Sequence, residues 1–239
     1  MQDLTTGSLS RHLLKTTGFM LVGMVLQTLY VLVDLYWVGR LGTEAIAAVA
    51  LAGNFTFIVL AVSQALGVGT TSLISQAVGR KDHAEAQHLF GQSQLLAITV
   101  ALLFAVSSFS LESAYVGALA PDARTAALAH TYLAWFLPAM ALQFGLVSMG
   151  AALRGTGRFA PGMWVQSGSV VLNMVLTPVL MFGWGLGQPM GVSGAALATL
   201  IAIAAGTIGM AWYFLPHNAY LRLAAVRWKI DVARWRAIL

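Results

Sequence analysis

Between Arg158 and Arg222 the chain runs for 63 residues without an Asp, Glu, Lys or Arg. A helix needs about 20 apolar residues to cross the hydrocarbon core of a bilayer, so this run is too long for one crossing and suits two. The glycine- and proline-containing segment "FGWGLGQPMGVSG" (182–194) reads as the tight turn between them, dividing the run into spans at about 162–182 and 193–214. Composition agrees: 59% of the 239 residues are hydrophobic and 9% charged, against about 25% charged in an ordinary soluble domain. A water-soluble globule is excluded.

The same reading gives four earlier spans, at 17–38, within 45–78, at 89–110 and at 128–150. The expected fold is all-α: a polytopic membrane protein built as a six-helix transmembrane bundle. Six crossings put both termini and the even-numbered connections on one side. That side collects Arg11, Lys15, Arg80, Lys81, Arg154, Arg158, Arg222, Arg227, Lys229, Arg234 and Arg236, and the other only Arg40 and Arg124. By the positive-inside rule both termini are expected in the cytoplasm, with the chain in the plasma (inner) membrane. The expected organisation is a cytoplasmic segment 1–16, the transmembrane lobe 17–215 and a basic cytoplasmic segment 216–239. The basic residues form no patch, so the lipid bilayer rather than nucleic acid is the expected partner. Residues 1–17 hold Asp3, Arg11 and Lys15 and no cleavage-site pattern, so no secretory signal peptide is expected. Cysteine is absent, which removes disulfides and thiolate metal sites.

Packing signals fit helices in lipid. Gly194, Ala198, Ala202 and Gly206 recur every four residues, a small-residue stripe along which a neighbouring backbone can approach. Pro138 and Pro178 free the carbonyls of Ala134 and Met174. These are either tolerated kinks or carbonyls available to a cation.

The polar residues within the spans are the candidates for function. Asp34 stands alone in "LYVLVDLYWVG" (29–39), where a central Asp costs roughly 2.5–3.5 kcal/mol on insertion scales. It either reaches the headgroups or Arg40, or serves a site. Gln27, Tyr30 and Asp34 share one helix face, and a stripe of that polarity is expected to face a water-filled cavity. Gln166, Ser169, Asn173 and Thr177 form a second stripe on span five, and Thr199 lies beside the small stripe of span six. The plainer reading of these is interhelical hydrogen bonding, about 0.6 kcal/mol each on average. His83 and His88, five apart, have poor ligand spacing and are expected to be solvated. "LGVGTTSLISQAVGR" (66–80) lacks the lysine of a nucleotide loop. No nucleophile–base pair or metal cluster stands out within the spans, so neither an enzyme nor a cofactor is expected.

Taken in order, "YVLVDLYWVGRLG", "LGVGTTSLISQAVGRKDHAEA", "ALRGTGRFAPG", "VLNMVLTPVLMFG" and "GVSGAALATLI" resemble the multidrug and toxic compound extrusion (MATE) family over nearly the whole chain. The resemblance implies a twelve-helix, two-lobed antiporter exporting small organic, often cationic, compounds against protons or sodium. It implies that this chain is the amino-terminal lobe, since "DVARWRAIL" resembles the lead-in to helix seven, and that a second six-helix lobe is its missing partner. The family's coupling residues fall on Asp34, Tyr30, Asn173, Thr177 and Thr199. Gln27, Trp37, Gln166 and Met174 are expected to line the substrate cavity. The helix-five motif usually reads Asn-x-x-x-Asp-Pro, whereas here it is Asn173-Met-Val-Leu-Thr177-Pro178. Hard cations prefer charged oxygens, so a sodium site at Asp34 and Asn173 would be weak. Asp34 is then the only acid expected inside a span, and the proton is the expected coupling ion. The alternatives are a lipid-linked oligosaccharide flippase of the same superfamily, which would favour a more basic cavity, and a non-transporting structural or truncated lobe.

Overall fold

The computed structural model describes residues 21, 25, 28–29, 31–184, 188–215, 220–223 and 229–238, and these contain helices and turns with no strand. Among the described residues seven helices follow one another: α1 (31–39), α2 (Thr43–Gly79), α3 (His83–Leu119), α4 (Ala123–Gly155), α5 (Phe159–Phe182), α6 (Val192–Tyr213) and the short α7 (Val232–Ile238). Among the described residues five helices, α2 to α6, are long and apolar enough to cross a membrane. α1 holds the end of the expected first span, most of whose other residues lie outside the described set. The chain is an all-α, multi-pass membrane protein.

The helices exceed the charge-free runs. α3 has 37 residues, about 55 Å at 1.5 Å per residue, well beyond a hydrocarbon core of about 30 Å. Its start is fixed by Asp82, whose carboxylate accepts the Glu85 N–H at 3.0 Å. α4 starts in the same way, with Asp122 accepting the Thr125 N–H at 2.7 Å and its hydroxyl at 3.0 Å. Such caps satisfy amides that the first helical turn leaves free, and the Asp122 carboxyl is held below its ordinary range by these bonds. Glu112 lies within α3, which continues beyond the expected span at 89–110 to Leu119, so the helix carries an acid past the stretch that the hydrocarbon must hold. Glu112 is tolerated because its Oε1 meets His130 Nδ1 of α4 at 2.7 Å.

α4 is the centre of the lobe, packed against α2, α3, α5 and α6. Of its most apolar window 67% is buried, against 28% for α2 and for α3. On the outside Phe57, Trp164 and Trp212 stand largely exposed, an arrangement that suits lipid rather than water. α5 ends at Gly183 in the left-handed region, φ 70°. The chain then returns so that Met190 N–H and Gly191 N–H donate to the carbonyls of Leu180 and Met181 at 3.1 and 3.0 Å. These bonds join the two ends of the turn read from the sequence, whose residues 185–187 lie outside the described residues. The small stripe of α6 is buried along its length. A Cβ on Gly194 would lie 2.7 Å from the backbone of Leu180 and Met181, and Ser169 Oγ donates to the Ala202 carbonyl at 2.6 Å.

Among the described residues after α6, Arg222, Lys229, Asp231 and Arg234 meet the start of α3. The Gln87 carboxamide donates to the Arg222 carbonyl and accepts the Arg222 N–H, both at 2.8 Å. Gln92, fully buried, does the same across two residues, donating to Lys229 C=O at 2.7 Å and accepting Asp231 N–H at 2.9 Å. Arg234 pairs with Glu85 at 2.9 Å. His83 is exposed, as expected, and His88 partly so. Each also has a partner: His88 Nε2 lies 3.3 Å from Asp231 Oδ2, and the His83 ring meets Tyr220 edge-on at 4.5 Å, contacts more than 130 residues apart in sequence and beyond the reach of a spacing argument.

Candidate functional site

Asp34 sits three residues before Trp37 on α1. Its side chain is half-buried, and the Oδ1 atom is buried with no hydrogen-bond partner. The pairing with Arg40 weighed from the sequence is not formed. The Arg40 guanidinium lies instead over the rings of Tyr36 and Trp37, at 5.6 and 5.8 Å. Trp37 anchors this end of α1 to the end of α5, its ring 5.7 Å from Phe182 and 5.8 Å from Trp184. With 1.5 Å of rise per residue, Asp34 lies about 4.5 Å along α1 from Trp37, and Thr177 about 7.5 Å along α5 from Phe182. The two therefore stand at comparable depth below the same aromatic cluster.

The polar residues of α5 and α6 join in one chain of hydrogen bonds. Thr177 Oγ1 donates to Asn173 Oδ1 at 3.1 Å, Asn173 Nδ2 donates to Thr199 Oγ1 at 3.0 Å, and Thr199 Oγ1 donates to the Ala195 carbonyl at 3.1 Å. All three side chains are at least nine-tenths buried. The sequence order permits this because Asn173 and Thr177 are one turn apart on α5, while the small stripe of α6 brings Thr199 within reach. Each hydroxyl hydrogen and one amide hydrogen are used, so the three side chains hold one another in place.

The structure thus brings together Asn173, Thr177 and Thr199, and it brings Trp37 to α5. Asp34 makes no hydrogen bond to that network. Met174 is half-buried and Gln166 exposed on α5, so the expected stripe is buried at Ser169, Asn173 and Thr177 and open at Gln166. Gln27 and Tyr30 lie outside the described residues. Among the described residues no group of three His, Asp or Glu converges as metal ligands would. Sequence reasoning missed the Glu112–His130 pair and the two glutamine clamps. Glutamines at 87, 92 and 94 in a long helix were a visible signal, but their partners were not. Gln94 Nε2, for instance, donates to Ser148 Oγ on α4 at 3.0 Å.

The family model MatE matches residues 20–179, which include α1 to α4 and most of α5. The chain belongs to the MatE family. Two curated relatives and one solved structure are similar to it. A FAD transporter of Shewanella oneidensis is 25% identical over 98% of this chain and 51% of its own length. A probable multidrug resistance protein, NorM, of Bradyrhizobium diazoefficiens is 29% identical over 83% of this chain and 43% of its own. A crystal structure of MATE in the straight conformation superposes with a TM-score of 0.87 at 26% identity, covering 99% of this chain and 52% of that one. The chain spans about half the length of the curated relatives it matches.

Proposed function

We propose that this chain forms the six-helix amino-terminal lobe, residues 17–215, of an antiporter that exports small organic compounds, often cationic, in exchange for protons. In this reading residues 1–16 and 216–239 are cytoplasmic, the membrane is the plasma (inner) membrane, and a second six-helix lobe completes the pathway. The observation that carries the reading is Asp34: a carboxylate in an apolar helix whose Oδ1 is buried without a partner. Such a group is costly as an anion, so a proton or a substrate's positive charge is the natural counterpart. The likeness to a probable multidrug resistance protein supports export of organic compounds.

The mechanism follows from competition for one charge. Deprotonated, Asp34 attracts a cationic substrate, which Gln27, Trp37, Gln166 and Met174 help to hold. Protonation from outside removes the charge, α1 repacks against α5 and α6, and the substrate is released outward. Proton and substrate bias one two-state equilibrium in opposite directions, which is what coupling requires. Tyr30, Asn173, Thr177 and Thr199 set the polarity beside Asp34. The proton is favoured over sodium because Thr177 replaces the second acid, and hard cations prefer charged oxygens. A lobe joined to a matching carboxyl-terminal lobe, given a fluorescent organic cation, is expected to export it under an imposed pH gradient and not under a sodium gradient alone. Export driven equally by sodium would overturn the choice of ion.

A further inference from the structure

Arg154 is the exposed residue in the last two turns of α4. Ser148 to Leu153 are all buried, and Arg154 is exposed. Gln143 and Val147 lie on the same face of the helix, eleven and seven residues earlier, and are partly open. Helical side chains lean toward the helix N-terminus. The Arg154 guanidinium is accordingly carried back along α4, away from the basic turn at 156–158 and into the lobe. A Cβ on Gly150 would lie 3.4 Å from Nη1, and one on Gly67 of α2 would lie 3.6 Å from Nη2. Both positions are glycine, and the guanidinium lies between α2 and α4 where a Cβ at either position would touch it. One turn on from Gly67, on the face of α2 turned to α4, Thr70 Oγ1 is buried with no partner.

The guanidinium has no counter-charge. Among the described residues no carboxylate, carbonyl or hydroxyl accepts from it, whereas Arg158 donates to Tyr213 OH at 3.2 Å, Arg234 pairs with Glu85 and Arg124 with Glu44. A flat, charged fork held open and unpaired in an otherwise apolar groove matches two oxygens of one tetrahedral anion. The geometry points to Arg154, in the α2–α4 groove beside Gly67 and Gly150, as a phosphate-binding site that takes either a phospholipid headgroup or a phosphate carried by a solute. The inference rests on the lobe being membrane-embedded and adds an anion subsite to it, separate from Asp34.

The test uses the purified full chain in detergent and needs neither a second lobe nor a gradient, so its failure leaves the transport reading untouched. One arm measures retention of phosphatidylglycerol against diacylglycerol by native mass spectrometry; the other measures inorganic pyrophosphate binding by calorimetry. At least one phosphate ligand is expected to bind, and Arg154→Gln to weaken it tenfold or more while Arg158→Gln does not. Gly67→Ala, which leaves the charge in place and puts a methyl in ordinary contact with Nη2, is expected to weaken it several-fold and guards against misfolding of the Arg154 variant. Retention of the lipid alone assigns the site to a headgroup; pyrophosphate binding assigns it to a solute. No phosphate ligand bound by the native chain, or equal binding by Arg154→Gln and Gly67→Ala, overturns the proposal.

Discussion

A carboxylate and an amide tell opposite stories in this lobe. Asn173 is buried and satisfied: it accepts from Thr177 and donates to Thr199. Asp34 has a buried oxygen that nothing satisfies. A closed network stabilises a packed interface, whereas an open acid leaves an energetic gap for a proton or a cation to fill. Thr199→Val removes the acceptor of Asn173 Nδ2 and is expected to cost about 1 kcal/mol, read as a lower unfolding midpoint in detergent with the helix content unchanged. In the sequence Thr199 stands out by its place beside the small stripe and by the family resemblance. Its bond to Asn173 was not legible, because that depends on the rotation of α5 against α6. Asp34 was legible at once, since an acid in an apolar run contradicts its surroundings without any partner being known. That Arg40 would lie over Tyr36 and Trp37 rather than pair with Asp34 was not legible, since both arrangements lie within reach of the same short segment.

At the scale of helices, α5 and α6 are joined by backbone contact. A Cβ on Gly194 would stand 2.7 Å from main-chain atoms of Leu180 and Met181, whereas one on Gly168 would meet nothing within 4 Å. Gly194→Val is expected to destabilise the lobe by about 3 kcal/mol or more. Gly168→Ala is expected to be neutral or slightly stabilising through helix propensity, and comparing the two unfolding midpoints checks both. The four-residue repeat of small residues made this contact legible, although not which helix it would meet. Helix lengths were less legible, because a charge-free run measures what hydrocarbon tolerates while a helix continues to its cap. The clamps on α3 were hidden for another reason: they bind backbone, which carries no sequence signature. Gln92→Ala removes two bonds to the segment at Lys229 and Asp231. At roughly 0.5–1.5 kcal/mol each, hydrogen exchange across 229–236 is expected to accelerate about tenfold or more. Acid weakens the same docking. The His88 hydrogen bond, with the amides of Arg234 and Ala233, holds the Asp231 carboxyl below its ordinary range. Its contribution is therefore complete above the unfolded value near pH 4 and is lost as pH falls through the lower folded value. Protection factors at 231–238, which take out the intrinsic pH dependence of exchange, should be steady from pH 7 to 5 and fall only in stronger acid.

For the whole molecule, the bundle was legible because hydrocarbon imposes a length and a composition on whatever crosses it, and the 63 uncharged residues after Arg158 meet both twice. The central position of α4 was not: its composition resembles that of its neighbours, and only packing shows that four helices surround it. A lobe of this kind has its aromatic contact between α1 and α5 at one end and its docked basic segment on α3 at the other. Movement of α1 at Asp34 would therefore be felt where Trp37 meets Phe182 and Trp184. The central claim is that Asp34 carries the proton that drives export. Its most direct test is efflux of a fluorescent organic cation, under an imposed pH gradient, by the Asp34→Asn lobe joined to a matching carboxyl-terminal lobe. The account predicts that insertion and folding persist while gradient-driven export falls to background; export at the native rate and with the native pH dependence would contradict it.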